Sequence, residues 1–226
     1  MAHKLIVGFE PHPGLLDAIQ SALPGQQTEI VTATDDEALA QALPGADILF
    51  GLRLNADLMP LTGSLRWIQT LSAGVEKLIS PALIESDIVI TNASGAHASQ
   101  ISEHVLAMLL AFARNLPGAY RAQLDSRWDA DSLTDPVFEL EGKTLGVVGL
   151  GDLGDAVACR ARAFGLNILA IRKRPTAKPA YVDEIFLPAD LPELLSRSDF
   201  VVDTLPLTPA TRHFFAAAQF DRMRDT

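Results

Sequence analysis

The sequence predicts an α/β protein built on parallel sheets, and three observations carry that expectation. Short apolar runs of strand length alternate with segments of helical periodicity. Pro-Gly pairs close two of the helical segments, as breakers placed after a helix do. Runs such as Ile48-Leu49-Phe50 are apolar without alternation, which a strand needs when helices cover both faces of its sheet. At 226 residues, 48% hydrophobic and 20% charged, the chain is long enough for two modest domains or one large one.

Taken in order, Leu5 to Phe9 reads as a first strand, and a helix follows around Leu15 to Leu23, closed by Pro24-Gly25. Thr28 to Ala33 is a second strand. Thr34-Asp35-Asp36-Glu37 looks like a cap for a helix reaching Leu43, closed by Pro44-Gly45. Ala46 to Gly51, Trp67 to Leu71 and Asp87 to Thr91 are the third to fifth strands. The longest helix covers 98 to 114, where Ile101, Val105, Met108, Leu109 and Phe112 recur at helical spacing and are expected to form an apolar stripe. Arg121 to Asp135 turns polar and charged, as a boundary or an excursion. The domain change is placed at the start of the long helix, giving units 1–97 and 98–226. A second βαβ series runs from Lys143 to about Thr204.

Composition narrows the partners. A net charge of −10 argues against general affinity for nucleic acid or anionic membrane, without excluding a local basic pocket. The longest apolar run, Val105 to Ala113, is about half of what a bilayer needs. The single cysteine, Cys159, rules out an intramolecular disulfide. No signal-peptide pattern opens the chain. A cytoplasmic protein with no nucleic-acid or membrane partner is expected.

The most informative stretch is Gly149-x-Gly151-x-x-Gly154, directly after the apolar strand at Lys143 to Val148. A helical pattern follows through Val157, Ala161 and Phe164, with Gly165 as its stop, and a second strand arrives at Asn167 to Ile171. In a dinucleotide site Gly149 permits the tight turn, Gly151 admits the pyrophosphate to the backbone, and Gly154 lets helix and strand pack closely. The helix N-terminus then offers the N–H groups of Asp152 and Leu153 to the phosphates. The alternative is a structural glycine turn in an unliganded domain. Where an NAD site usually carries an acid, the second strand ends Arg172-Lys173-Arg174. Three cations suit a 2′-phosphate, so NADP(H) is the expected cofactor and NAD(H) a possible one; a solvated basic loop is the alternative. Asp152 and Asp155 would oppose a pyrophosphate if they faced it, and both are expected to turn to solvent.

On these residues the chain resembles the D-2-hydroxyacid dehydrogenase family along nearly all its length. Trp67 to Glu76 is similar to the family's substrate loop. Thr91-Asn92-Ala93-Ser94-Gly95 with Ile101-Ser102-Glu103-His104 is similar to its interdomain crossing. Leu140 to Gly146 leads into the glycine turn, and Thr204-Leu205-Pro206-Leu207-Thr208 with Thr211 looks like the loop beside the adenine pocket. The resemblance implies a flavodoxin-like substrate domain joined to a Rossmann domain, with the active site between them. It implies that backbone amides of Ala73, Gly74 and Val75 hold the substrate carboxylate, and that Leu205, Pro206 and Thr211 border the cofactor. Arg53 is a further candidate for the substrate pocket, or a surface arginine.

The family's catalytic Arg, acid and His would all lie after the segment matched by Phe214 to Thr226. No catalytic residue is therefore assigned, and the Rossmann domain is expected to be incomplete, the chain being a fragment of a longer product. Of the five histidines, His3 and His12 are at the N-terminal edge and His213 follows a cofactor-loop pattern; His97 is nearest to the expected cleft without an orienting acid, and His104 is expected to be packed or hydrogen-bonded. Glu103 is expected to anchor its helix to a neighbouring loop. For the full-length protein the resemblance implies reversible hydride transfer between NAD(P)(H) and C2 of a small 2-keto or 2-hydroxy acid, with glyoxylate or hydroxypyruvate leading. It also implies a homodimer, with Arg114 to Asp135 contributing to the contact. A non-enzymatic dinucleotide-sensing protein on the same scaffold, or a formate or phosphite dehydrogenase relative, are the alternatives.

Overall fold

The structure is a computed structural model, and it describes residues 3–22, 27–51, 54–128, 137–174 and 177–225. It divides into two compact units, Met1–Ser94 and Gly95–Thr226.

In the first unit, five parallel strands lie in the order β2-β1-β3-β4-β5: β1 His3–Val7, β2 Thr28–Thr32, β3 Ile48–Phe50, β4 Trp67–Gln69 and β5 Val89–Thr91. That is the flavodoxin-like order, in which the chain winds outward on both sides of β1 and β3. Register pairs Leu49 with Ile6 and with Ile68, so three fully buried side chains stack across the sheet. Burial of each contributes about 1.5–3 kcal/mol. Helices α1 Leu15–Ala22, α2 Asp36–Ala42 and α3 Pro81–Ile84 and a 3₁₀ helix, Ala56–Leu61, complete the unit. Asp35 caps α2 by accepting from Ala38 N at 2.8 Å, while Asn55 and Ser80 cap the 3₁₀ helix and α3 in the same way.

The second unit opens with α4 Ala98–Ala113 and α5 Leu116–Leu124. Its sheet is also parallel, in the order β8-β7-β6-β9: β6 Thr144–Val148, β7 Asn167–Ile171, β8 Glu184–Phe186 and β9 Phe200–Asp203. In the unit's own numbering this is 3-2-1-4, the first four positions of a Rossmann sheet. Helix α6 Asp152–Arg162 links β6 to β7, α7 Leu191–Arg197 links β8 to β9, and α8 Ala217–Phe220 follows. Carboxylates fix the starts of two strands: Asp199 accepts from Thr144 N at 2.8 Å, and Asp183 accepts from Ile168 N at 2.7 Å while pairing with Arg162.

Two expectations change here. The buried face of α4 is Ser102, Leu106, Leu109 and Ala113, packed with Val157, Ala158 and Ala161 of α6. Of the expected stripe only Leu109 is buried and Val105 partly so, whereas Ile101, Met108 and Phe112 are exposed. Helix α4 is apolar on nearly every side, so periodicity alone does not select the packed face. The segment from Arg121, read as an excursion, begins inside α5; residues 129–136 lie outside the described residues.

Candidate functional site

The glycine turn grows from the C-terminal end of β6, the central position from which ligands of parallel sheets are approached. Gly149 has φ +101°, a conformation that side chains other than glycine's resist, and its N–H and that of Leu150 both donate to Ile171 O at the end of β7. Gly154 is required sterically: a Cβ there would stand 2.2 Å from Gly149 O and 2.9 Å from Thr204 Oγ1. Thr204 Oγ1 donates to Gly149 O at 2.6 Å, so the first residue after β9 locks the turn from the other side. Gly151 differs from both. Among the described residues, a Cβ on it would meet nothing within 4 Å, and no side-chain hydrogen bond caps the helix that begins at Asp152.

Around this turn the other cofactor candidates divide. Leu205 packs on it, with its Cδ2 3.2 Å from where a Cβ of Gly149 would be. Asp152 and Leu153 form the first turn of α6. Arg172 follows Ile171 directly, is half-buried, and donates its N–H to Phe186 O at 3.1 Å; Lys173 and Arg174 continue the same exit and are exposed. Pro206 and Thr211 lie farther along the loop after β9, tied to each other by Thr211 Oγ1 donating to Pro206 O. Asp152 is exposed, beside Gly95. Asp155 corrects the expectation that both acids face solvent: it is half-buried, and its Oδ1 accepts from the Tyr181 hydroxyl at 2.6 Å. Donating to that carboxylate, aided by burial, pushes the Tyr181 pKa up to about 12, so the hydroxyl stays a donor at any physiological pH.

In the first unit, Ala73, Gly74 and Val75 follow β4 in an exposed loop held by its carbonyls. Thr70 Oγ1, on a fully buried residue, donates to Ser72 O at 2.7 Å. Asn92 Nδ2 donates to Ala73 O at 2.7 Å, and Ser72 Oγ donates to Gly74 O at 2.5 Å. Three consecutive peptide planes are thereby fixed. The Glu76 carboxylate lies against Gly74, where a Cβ would be 2.6 Å from its Oε2. Arg53 lies outside the described residues.

Sequence reasoning missed the residues that hold these loops in place: Thr204, Tyr181, Thr70 and Asn92. Thr204, Thr70 and Asn92 stood within segments already singled out, but only side-chain geometry marks them. Glu103 is exposed and forms no hydrogen bond or ion pair among the described residues, so the anchoring expected of it is absent there. His104 is exposed as well, and His97 stands at the N-terminus of α4 without capping it. Among the described residues no cluster of His, Cys, Asp and Glu has the form of a metal site. No helix among them is long and apolar enough to cross a membrane.

The family model described as "D-isomer specific 2-hydroxyacid dehydrogenase, NAD binding domain" matches residues 106–226. A D-3-phosphoglycerate dehydrogenase from Methanocaldococcus jannaschii is 33% identical over 92% of this chain and 40% of its own length. A hydroxypyruvate reductase from Thermotoga maritima is 30% identical, covering 92% of this chain and 68% of that protein. Among solved structures, an NADPH-dependent glyoxylate/hydroxypyruvate reductase from Sinorhizobium meliloti, in complex with NADP and sulfate, is similar with a TM-score of 0.80 and 26% identity, over 98% of this chain and 70% of that one. The chain thus spans about two-fifths of the phosphoglycerate dehydrogenases it matches and about two-thirds of the reductases.

Proposed function

The chain belongs to the D-isomer specific 2-hydroxyacid dehydrogenase family, and on that premise we propose that the whole protein moves a hydride reversibly between NADP(H) and C2 of a small 2-keto or 2-hydroxy acid. The observation that carries this is Gly151. Nothing among the described residues requires a glycine there, because a Cβ would meet no atom of theirs within 4 Å. A pyrophosphate laid against the turn would require it, and the uncapped first turn of α6 supplies the N–H groups of Asp152 and Leu153 to receive it. The residues present therefore fit the dinucleotide. When bound, the dinucleotide supplies the hydride; the protein's residues bind and orient.

Gly149 and Gly154 shape the turn, and Leu205, Pro206 and Thr211 border the adenine. Arg172, at the exit of β7, takes the 2′-phosphate with help from Lys173 and Arg174, and NADH binds more weakly in the same place. The NADP carried by the Sinorhizobium meliloti relative supports that preference. The amides of Ala73, Gly74 and Val75 receive the substrate carboxylate, their peptide planes set by Thr70, Ser72 and Asn92. Glyoxylate or hydroxypyruvate is the substrate of choice, in keeping with both reductases among the relatives. No residue of this chain is assigned proton transfer. A cytoplasmic location goes with this chemistry and with the single, exposed Cys159.

Fluorescence titration of the chain with NADPH and NADH at two ionic strengths tests the cofactor assignment. The wild type should bind NADPH more tightly, the more so at low salt. Arg172→Asp should weaken NADPH by at least about tenfold and leave NADH equal or improved. Equal affinities, untouched by the substitution, would reduce the basic run to a solvated loop.

A homodimer is the proposed assembly. Phe112 of α4, Tyr120 and Leu124 of α5, and Trp128 beyond it are 65%, 61%, 66% and 94% exposed, large apolar side chains that a contact would cover. Light scattering of the full-length protein at micromolar concentration should give twice the protomer mass, and Trp128→Asp should lower it. A monomeric wild type would refute the assembly.

A further inference from the structure

Asp155 stands in the first turn of α6, where a carboxylate favours the helix but opposes an approaching anion. The structure gives it one partner of consequence, the Tyr181 hydroxyl at 2.6 Å. Tyr181 belongs to the segment between β7 and β8, so this bond joins the phosphate-facing turn to the stretch of chain that leaves Arg172. Its ring packs against the core that includes Val157, Ala158 and Ala161 of α6, which delivers the hydroxyl at a fixed point. Lys178 Nζ donates to Val182 O at 2.6 Å and closes the same segment on itself. The Arg172 charge also acts on that hydroxyl, so acid, phenol and guanidinium share one neighbourhood.

We propose that Tyr181 is a positioning residue for cofactor selectivity: by holding the Asp155 carboxylate and setting its O–H dipole against it, it allows a 2′-phosphate to settle at the Arg172 end of the site. The proposal rests on the assignment of the 2′-phosphate to Arg172. A carboxylate that loses its donor keeps its charge, loses the dipole set against it, and is free to rotate. A 2′-phosphate, carrying up to two negative charges, suffers from that far more than a neutral 2′-hydroxyl. The Tyr181–Asp155 bond therefore separates the two dinucleotides without touching the part they share.

The test is a set of four proteins, the wild type, Tyr181→Phe, Asp155→Asn and the double variant, each titrated with NADPH and NADH. Tyr181→Phe keeps the packed ring and removes only the hydroxyl. It should cut the NADPH-over-NADH preference about tenfold, the size of one charge-assisted hydrogen bond. Asp155→Asn removes the charge and should hold or raise the preference, without the loss that Tyr181→Phe brings at the other end of the same bond. In the Asp155→Asn background, Tyr181→Phe should shift the preference by no more than about twofold, since no acid remains to be restrained. A hydroxyl that served packing alone would weaken both cofactors alike in either background, and that result overturns the proposal. A wild type with no NADPH preference removes the Arg172 assignment and this proposal together. A preference that survives Tyr181→Phe unchanged removes only this proposal.

Discussion

The two loops that follow central strands in the two units are held by opposite means. After β6, the turn from Gly149 to Gly154 is fixed first by the absence of side chains, since a Cβ on Gly154 would be driven into Gly149 O at 2.2 Å, with the Thr204 hydroxyl added from outside the turn. After β4, the loop from Ser72 to Val75 is fixed by the presence of side chains, with Thr70, Asn92 and Ser72 each donating to one carbonyl. The first device is steric and leaves no alternative. The second is a set of separate hydrogen bonds, any of which can be removed with the rest standing. Steric fixation should fail all at once, and polar fixation by degrees.

Four substitutions press on that contrast. Gly154→Ala should be the most damaging, costing about 3 kcal/mol, because the obstructing atom is backbone and cannot swing aside. It should weaken NADH and NADPH equally. A variant with wild-type stability in urea would mean that the turn yields after all. Thr70→Val comes next, at about 1–2 kcal/mol, since its hydroxyl is fully buried where it meets Ser72 O. Chemical denaturation measures it, and a loss as large as that for Gly154→Ala would erase the distinction between the two loops. Gly151→Ala should cost no more than about 1 kcal/mol in stability. Its effect belongs to binding, where both dinucleotides should weaken by about tenfold; unchanged affinity would leave that glycine without a ligand to explain it. Asn92→Ala, on the exposed side of the loop, should cost about 0.5 kcal/mol, visible only as a small shift in the thermal midpoint.

The same contrast explains what could be read in advance. A glycine demanded by sterics is visible in the chain as a glycine, so the turn at 149–154 stood out together with the strand before it and the helix after it. Asp35 was legible for a similar reason, because the atom it caps is three residues away. Asn92 was not, because it reaches Ala73 O, 19 residues away, only after β4 and β5 pair with Gln69 opposite Thr91. Tyr181 is 26 residues from Asp155, and no local pattern joins them. The face of α4 escaped because Ile101, Met108 and Phe112 are as apolar as Leu106 and Leu109, and only packing against α6 separates the two sets. Helix α5 begins in a stretch with Pro117 and Gly118, residues that speak against a helix unless they sit in its first turn, as they do.

The Thr204 bond to Gly149 O also sets a schedule. The two residues are 55 positions apart, and β6 gains its second neighbour, β9, only when Phe200–Asp203 is available. On a ribosome adding about 5–20 residues per second, roughly 3–11 seconds separate the emergence of the glycine turn from that of the hydroxyl that locks it. During that interval the carbonyl of Gly149 is without this donor and β6 has an unpaired side. The cradle is therefore finished only once β9 and Thr204 have been made.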